Sequence, residues 1–158
     1  MRIKIISVGK IKEKYLQEGI DEYAKRLSRY VQLDMIEVND ERAPENLSQK
    51  EKTIIKDKEA DRILSKLDND FIIALDMKGK NFDSIQLAKK IRDTFSYQSS
   101  NIAFIIGGSL GLSQVILQKA NLKLSFSKLT FPHQLMKLIL LEQIYRSFRI
   151  INNEPYHK

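Results

Sequence analysis

The chain has 158 residues, a formal net charge of +7 and 42% hydrophobic residues, a composition typical of one globular domain spanning residues 1–158. The absence of cysteine excludes disulfides and thiolate metal sites, the two histidines have no metal-ligand spacing, and no apolar run approaches the about 18–20 residues of a membrane span. We therefore expect a cytoplasmic protein with no metal and no membrane partner.

Five runs rich in Ile, Val and Phe predict strands, and they lie at 2–8, 33–38, 71–76, 101–106 and 122–126. The third and fourth runs are almost continuously apolar, which is typical of strands that are covered on both faces. Helical patterns lie between the runs, so strands and helices alternate along the chain. This alternation predicts an α/β fold with a mostly parallel sheet of five to six strands and with helices on both faces.

The predicted helices have recognisable start signals. The helical patterns cover 49–66, 84–96, 113–119 and 133–150. Ser48 and Asp83 are each followed three residues later by Glu or Gln, which is the capping-box pattern of a helix N-terminus. Ser113 suits the cap of the third helix, and Pro132 suits the first turn of the last one. The polar segment 39–49 has no such pattern and is predicted to be a mobile surface loop.

The last predicted helix, HQLMKLILLEQIYRSFRI at 133–150, is apolar around most of its circumference. Six of the seven residues from Leu135 to Leu141 are apolar, whereas a helix on the surface of a domain needs only one apolar stripe. Either the helix is central to the fold, or it buries one face inside and another face against a second subunit. For a domain of this size we favour the second interpretation, which is a homodimer.

Three glycines follow the fourth predicted strand, in GGSLG at 107–111, and they raise the question of what approaches the backbone there. The dinucleotide fingerprint G-x-G-x-x-G follows a first strand, but the first strand here is followed by a single glycine, Gly9. No stretch matches the P-loop pattern either, so a phosphate site is disfavoured. A tight turn that packs on its own chain and a site for another cofactor remain. The position favours a cofactor, because ligands bind beyond the carboxyl ends of parallel strands, where the loops after the third, fourth and fifth strands meet.

The positive charge is concentrated at the two ends of the chain. Residues 1–30 hold eight Lys or Arg and four Asp or Glu, and residues 120–158 hold six and two. Residues 31–119 hold 13 and 14, so the middle of the chain is almost neutral. If the fold brings the two ends together, they form one basic surface that suits a nucleic acid. The alternative is a basic protein with no polyanionic partner.

Seven stretches that span almost the whole chain carry a family resemblance. They are IISVGKIKEKY (5–15), RAPEN (42–46), LDMKGK (75–80), FIIGGSLGL (104–112), LSFSKLTFPHQLMK (124–137), LLEQIYRSFRI (140–150) and PYHK (155–158). Together and in this order they resemble the small SPOUT-class RNA methyltransferases, in particular the RlmH type, which methylate N3 of a pseudouridine in large-subunit (23S) ribosomal RNA. The resemblance implies a homodimer and a C-terminal trefoil knot, a rare exception to unknotted connections.

The resemblance also implies S-adenosyl-L-methionine as the methyl donor and the ribosomal RNA of the assembled ribosome as the substrate. By position, the implied cofactor-binding residues are Leu75, Gly107, Phe126, Ser127, Lys128, Leu129, Thr130 and Phe131. For catalysis we expect Arg146, Tyr156 and His157 to bind and orient the target base, within one protomer or across the dimer. His133, beside Pro132, is either a further chemical group or only a structural residue at the start of the last helix.

Two other function classes remain as alternatives. The first is an RNA-binding module of the same fold without catalysis, which would bind RNA but not S-adenosylmethionine. The second is a nicotinamide-dependent oxidoreductase on a doubly wound sheet, which the missing glycine fingerprint disfavours. Binding of the two cofactors separates these classes from a methyltransferase.

Overall fold

Strands and helices alternate strictly along the chain in the computed structural model, which describes residues 1–158. The strands are β1 (Arg2–Val8), β2 (Gln32–Val38), β3 (Phe71–Asn81), β4 (Asn101–Ile106) and β5 (Leu122–Ser125). The helices are α1 (Lys14–Leu27), α2 (Gln49–Leu64), α3 (Ser84–Tyr97), α4 (Gln114–Lys119) and α5 (His133–Ile151). None of these helices is long and apolar enough to cross a membrane.

The five strands form one sheet in the order β2-β1-β4-β3-β5, and every neighbouring pair is parallel. In the centre of the sheet, Ile5 of β1 lies beside Met35 of β2 and Phe104 of β4. The prediction of an α/β fold with a parallel sheet is confirmed. The sheet has five strands, and there is no sixth.

Side chains of each inner strand alternate between two hydrophobic cores, as a pleat of period two requires. Ile3 and Ile5 belong to the larger core, which α1, α3 and α5 cover. Ile6 and Val8 belong to the smaller core, which α2 and α4 cover. Helices therefore lie on both faces, as predicted, and this explains why the inner strands are apolar at almost every position.

The predicted start signals act as expected at three helices. Ser48 accepts a hydrogen bond from the backbone N–H of Glu51 at 3.1 Å, and Asp83 forms a reciprocal capping box with Gln86. Ser113 caps α4 by accepting from the N–H of Val115. The prediction for Pro132 was off by one position, because Pro132 lies just before the first helical residue of α5.

Strand β3 is longer than predicted, because it continues beyond Asp76 through the polar residues MKGKN. Its pairing with β5 is interrupted, since Leu124 lies opposite both Leu75 and Lys80. The intervening residues pack directly on the backbone of β5: a Cβ added to Gly79 would lie only 2.6 Å from the carbonyl carbon of Lys123. Residues 76–79 thus form a tight bulge at the carboxyl end of the sheet, which is called the excursion of β3 below.

Helix α5 lies between α1 and α3, and none of its residues is fully exposed. Leu140, Leu141 and Ile144 are completely buried. The central position of α5 in the fold accounts for its buried residues, whereas Leu135, Met136, Leu138 and Ile139 stay half-buried, so the homodimer remains a prediction. The packing of α1 on α5 also brings the two basic ends of the chain together, for example where the rings of Tyr23 and Tyr145 lie 6.0 Å apart.

Candidate active site

A cavity of about 420 Å³ opens at the carboxyl edge of the sheet. Its walls come from three segments, 75–78 in the excursion of β3, 106–112 after β4, and 124–131 at the end of β5 and beyond. His133 and Met136 at the start of α5 complete the lining. The three loops that the parallel sheet was expected to gather thus meet in one place.

Seven of the eight predicted cofactor-binding residues line this cavity. They are Leu75, Gly107, Phe126, Ser127, Leu129, Thr130 and Phe131. Lys128 belongs to the same loop but is exposed and is not part of the lining. Sequence reasoning named no role for Asp76, Met77, Lys78 and Ser109, which also line the cavity and could have been found by their membership of the same loops.

The glycine turn between β4 and α4 packs tightly on its own chain. A Cβ added to Gly107 would lie 2.8 Å from the carbonyl carbon of Gly111, and one added to Gly108 would lie 3.2 Å from Cγ1 of Val8. Gly111 has a φ of +84°, a left-handed conformation that favours glycine. Its N–H donates to the carbonyl oxygen of Gly108 at 3.0 Å and closes the turn. The glycines therefore serve the shape of the turn itself, while the turn as a whole lines the cavity.

The loop after β5 is shaped by its own hydroxyl groups. Ser125 Oγ donates to the carbonyl oxygen of Ser127 at 3.1 Å, and Ser127 Oγ accepts from the N–H of Leu129 at 3.0 Å. Thr130 lies over the excursion of β3, with Oγ1 3.7 Å from the sulfur of Met77. Side chains thus fix the loop backbone against the opposite wall of the cavity.

Arg146 and Tyr156, two of the three predicted catalytic residues, share one acidic partner. Glu142 Oε1 accepts hydrogen bonds from Arg146 Nη2 at 2.6 Å and from the hydroxyl of Tyr156 at 3.0 Å. The guanidinium of Arg146 also lies over the Tyr156 ring, 4.7 Å from its centre. These residues and His157 are called the C-terminal cluster below.

Electrostatics keep two members of the C-terminal cluster, Arg146 and Tyr156, in their protonated forms near neutral pH. Burial, followed by hydrogen bonding to Tyr23 and Glu142, raises the pKa of Tyr156 far above its usual value, so the phenol stays neutral. The hydrogen bond that Arg146 donates to Glu142 raises the pKa of Arg146 further, so the guanidinium stays charged. The cluster therefore contains a guanidinium that is paired with Glu142 and a neutral phenol hydroxyl.

His157 joins the C-terminal cluster to a second cavity of about 550 Å³. Its Nδ1 lies 3.4 Å from Nη1 of Arg146, and its ring lines the second cavity together with Ser84 and Gln143. Phe126 and Phe131 line both cavities, so the two share a wall. The C-terminal cluster is thus a neighbour of the first cavity rather than part of it.

Sequence reasoning missed Glu142 and left His133 open. Glu142 precedes Arg146 by four residues, a helical spacing at which opposite charges pair, so this signal was available in the sequence. His133 lines the first cavity, and its Nε2 would lie 3.8 Å from a Cβ on Gly9. His133 is the first residue of α5, and this position is compatible with a structural role and with a chemical role.

Comparisons with known proteins agree over the whole chain. Residues 1–157 match a family model described as "Predicted SPOUT methyltransferase". The chain is 62% identical to the ribosomal RNA large subunit methyltransferase H of Alkaliphilus oremlandii and 57% identical to that of Bacillus pumilus. Each alignment runs over 159 residues and covers 100% of both chains.

Among solved structures, the fold is similar to that described as a probable methylase family protein from Haemophilus influenzae, with a TM-score of 0.51. That likeness covers 96% of this chain and 66% of the other, and at 14% identity it concerns the fold alone. The family match and the full-length relatives decide the assignment. The chain belongs to the SPOUT methyltransferase family, and this membership implies the C-terminal trefoil knot.

Proposed function

We propose that this enzyme transfers a methyl group from S-adenosyl-L-methionine to N3 of a pseudouridine in large-subunit ribosomal RNA, and that it does so as a single domain in the cytoplasm. Family membership supports methyl transfer, and the names of the full-length relatives support a large-subunit RNA as the acceptor. The observation that carries the proposal is the cavity at the carboxyl edge of the sheet, where Leu75, Gly107 and the loop 126–131 face one another.

The residues of this cavity fit S-adenosylmethionine. Its volume of about 420 Å³ lies within the range of small-molecule sites, about 300–1,000 Å³. Half of its lining residues are hydrophobic, and the rest are mainly glycine and hydroxyl residues, with Asp76 and Lys78 as the charged side chains. This lining suits a nucleoside without phosphate. When bound, S-adenosylmethionine supplies a methyl group on a positively charged sulfur, and this sulfur is the leaving group that a nucleophile displaces in line.

The C-terminal cluster suits the acceptor base. The N3 position of pseudouridine carries a proton near pH 7, and this proton must leave before or during methyl transfer. The fixed charge of Arg146 favours the anionic base, and His157 borders the second cavity where that base would lie. Tyr156 does not serve as the base, because its raised pKa keeps the phenol protonated. We assign Arg146, Tyr156 and His157 to binding and orientation of the acceptor.

A homodimer would complete the second cavity. Ile85 at the mouth of this cavity is 57% exposed, and Phe131 in its wall is 36% exposed. Leu129 in the same loop as Phe131 is 71% exposed. Large apolar side chains exposed around one opening are typical of a contact surface. A second copy that covers them would close the cavity while leaving the entrance for RNA at the subunit boundary.

The assembled ribosome is the substrate that we expect. The packing of α1 on α5 joins the two basic ends of the chain into one region, which suits RNA phosphates. A dimer on a folded particle offers a larger footprint for recognition than one protomer.

Incubation with labelled S-adenosylmethionine and ribosomal particles from a strain lacking this enzyme tests the proposal. We expect one methyl group per particle, mapped to N3 of a pseudouridine in the large-subunit RNA. Incorporation into naked transcript but not into particles would refute the choice of substrate. RNA binding without calorimetric binding of S-adenosylmethionine would instead support a module that shares the fold and has no catalytic activity.

A further inference from the structure

A buried carboxylate lies directly behind the glycine turn, outside both cavities. Glu59 of α2 is 5% exposed, and a Cβ on Gly108 would lie 3.4 Å and 3.5 Å from its two carboxylate oxygens. Its Oε2 accepts a hydrogen bond from the N–H of Glu41 at 2.9 Å. One side chain is thus hydrogen-bonded to the segment that follows β2 and lies beside the turn that lines the first cavity.

Two further residues of α2 hold the same segments. Asp57 Oδ1 accepts a hydrogen bond from Ser113 Oγ at 2.5 Å, and Ser113 is the cap that ends the glycine turn. Arg62 donates to the carbonyl oxygen of Asn39 at 2.8 Å and pairs with Glu41. Helix α2 therefore lies against the turn at Gly108, is hydrogen-bonded to its far end at Ser113, and holds the start of the loop 39–48.

We propose that Glu59 is a positioning residue for the methyl donor. Glu59 does not touch the donor, but it affects donor binding by fixing the glycine turn. The inference rests on the proposed function, because it assigns the donor to the cavity that this turn lines. Burying an ionisable group is unfavourable unless it makes a compensating contact. The carboxylate of Glu59 accepts its hydrogen bond from the segment after β2 and lies beside Gly108 of the turn, so its burial is tied to the geometry of these two loop segments.

The electrostatic setting agrees with this role. Burial raises the pKa of Glu59, with Asp40 and Glu41 acting in the same direction, whereas the N–H of Glu41 and the charge of Arg62 lower it. In this setting the shape of the Glu59 side chain and its acceptor oxygen matter more for holding the loops than its negative charge does. The amide of glutamine keeps both features, so Glu59→Gln should retain what Glu59→Ala loses.

Calorimetric titration with S-adenosylmethionine, well below the melting temperature of each variant, tests the inference. We expect Glu59→Ala to weaken binding of the donor about tenfold, as for the loss of a buried hydrogen bond. We expect Glu59→Gln to stay within about threefold of the unsubstituted protein, and turnover at saturating donor to change less than about twofold in both variants. Glu51→Gln and Glu51→Ala on the exposed first turn of α2 are the matched controls.

A purely structural role for Glu59 makes a different prediction, namely a lower melting temperature with unchanged affinity for the donor, and that result would overturn the inference. If Glu59→Ala does not fold, Asp57→Ala at the other end of the turn provides the same test, with an expected weakening of about threefold. Unchanged affinity in that variant also contradicts the inference. Failure of the unsubstituted protein to bind the donor would instead refute the proposed function.

Discussion

Replacing Gly107 with alanine is expected to destabilise the protein and to weaken binding of the methyl donor, because the new methyl group has no room. Its carbon would lie 2.8 Å from the carbonyl carbon of Gly111 and 3.0 Å from the carbonyl oxygen, and both atoms are backbone that does not rotate away. Overpacking of this kind costs about 1–3 kcal/mol. For a chain of this length each kcal/mol lowers the melting temperature by about 2–4 °C, so the expected decrease is about 2–12 °C.

Thermal unfolding and calorimetric titration with S-adenosylmethionine measure the two effects. Gly19→Ala is the control, because its Cβ would meet only the flexible end of Leu138, at 3.1 Å, and alanine favours the helix by about 1 kcal/mol. We expect this control to be neutral or stabilising and to bind the donor normally. A Gly107→Ala variant that is as stable as the unsubstituted protein and binds the donor equally well would refute the steric reasoning.

Three further predictions follow from other parts of the structure. Tyr156→Phe should flatten the alkaline decline of stability in urea unfolding between about pH 10 and pH 12: the pKa of Tyr156 is raised, so its contribution is complete below the unfolded value of about 10 and is lost as the pH rises above it. Lys4→Ala should cost about 3 kcal/mol in urea unfolding, because Asp70, whose side chain is 0% exposed, loses its cationic partner at 3.0 Å; a loss below about 1 kcal/mol would contradict this. Alanine at the three exposed lysines of residues 10–14 should lower the salt slope of RNA binding by about 2–3 with little effect on affinity for the donor, and an unchanged slope would remove this segment from the RNA surface.

The sheet could be predicted because β1, β4 and the first half of β3 are buried on both faces and therefore stand out as apolar runs. Helix α1 had no start signal, since Glu13 at its N-cap makes no capping hydrogen bond, and its bounds required the structure. The end of β3 was missed because its last residues, MKGKN, are polar and are held by the backbone of β5 rather than by a core. For α5 the sequence showed an apolar circumference but could not show which elements cover it.

The candidate site was predictable where it depends on topology and was not where it depends on tertiary partners. Parallel strands bring their following loops to one edge, so the cavity followed from the order of the elements. Glu59 lies in the middle of an ordinary charged helix, and nothing in its neighbours along the chain indicates that Gly108 lies against it. The purpose of the glycines was ambiguous for the same reason, because Gly107 and Gly111 pack on each other.

The aromatic wall between the two cavities is the place where ligands in the two cavities would influence each other. Phe126 and Phe131 present surface to both chambers, so a ring that moves when one chamber fills alters the shape of the other. Such coupling is reciprocal by thermodynamic necessity: the factor by which the donor strengthens or weakens acceptor binding is the factor by which the acceptor changes the affinity for the donor. If donor and acceptor occupy the two cavities as proposed, cooperativity between them would depend on Phe126 and Phe131.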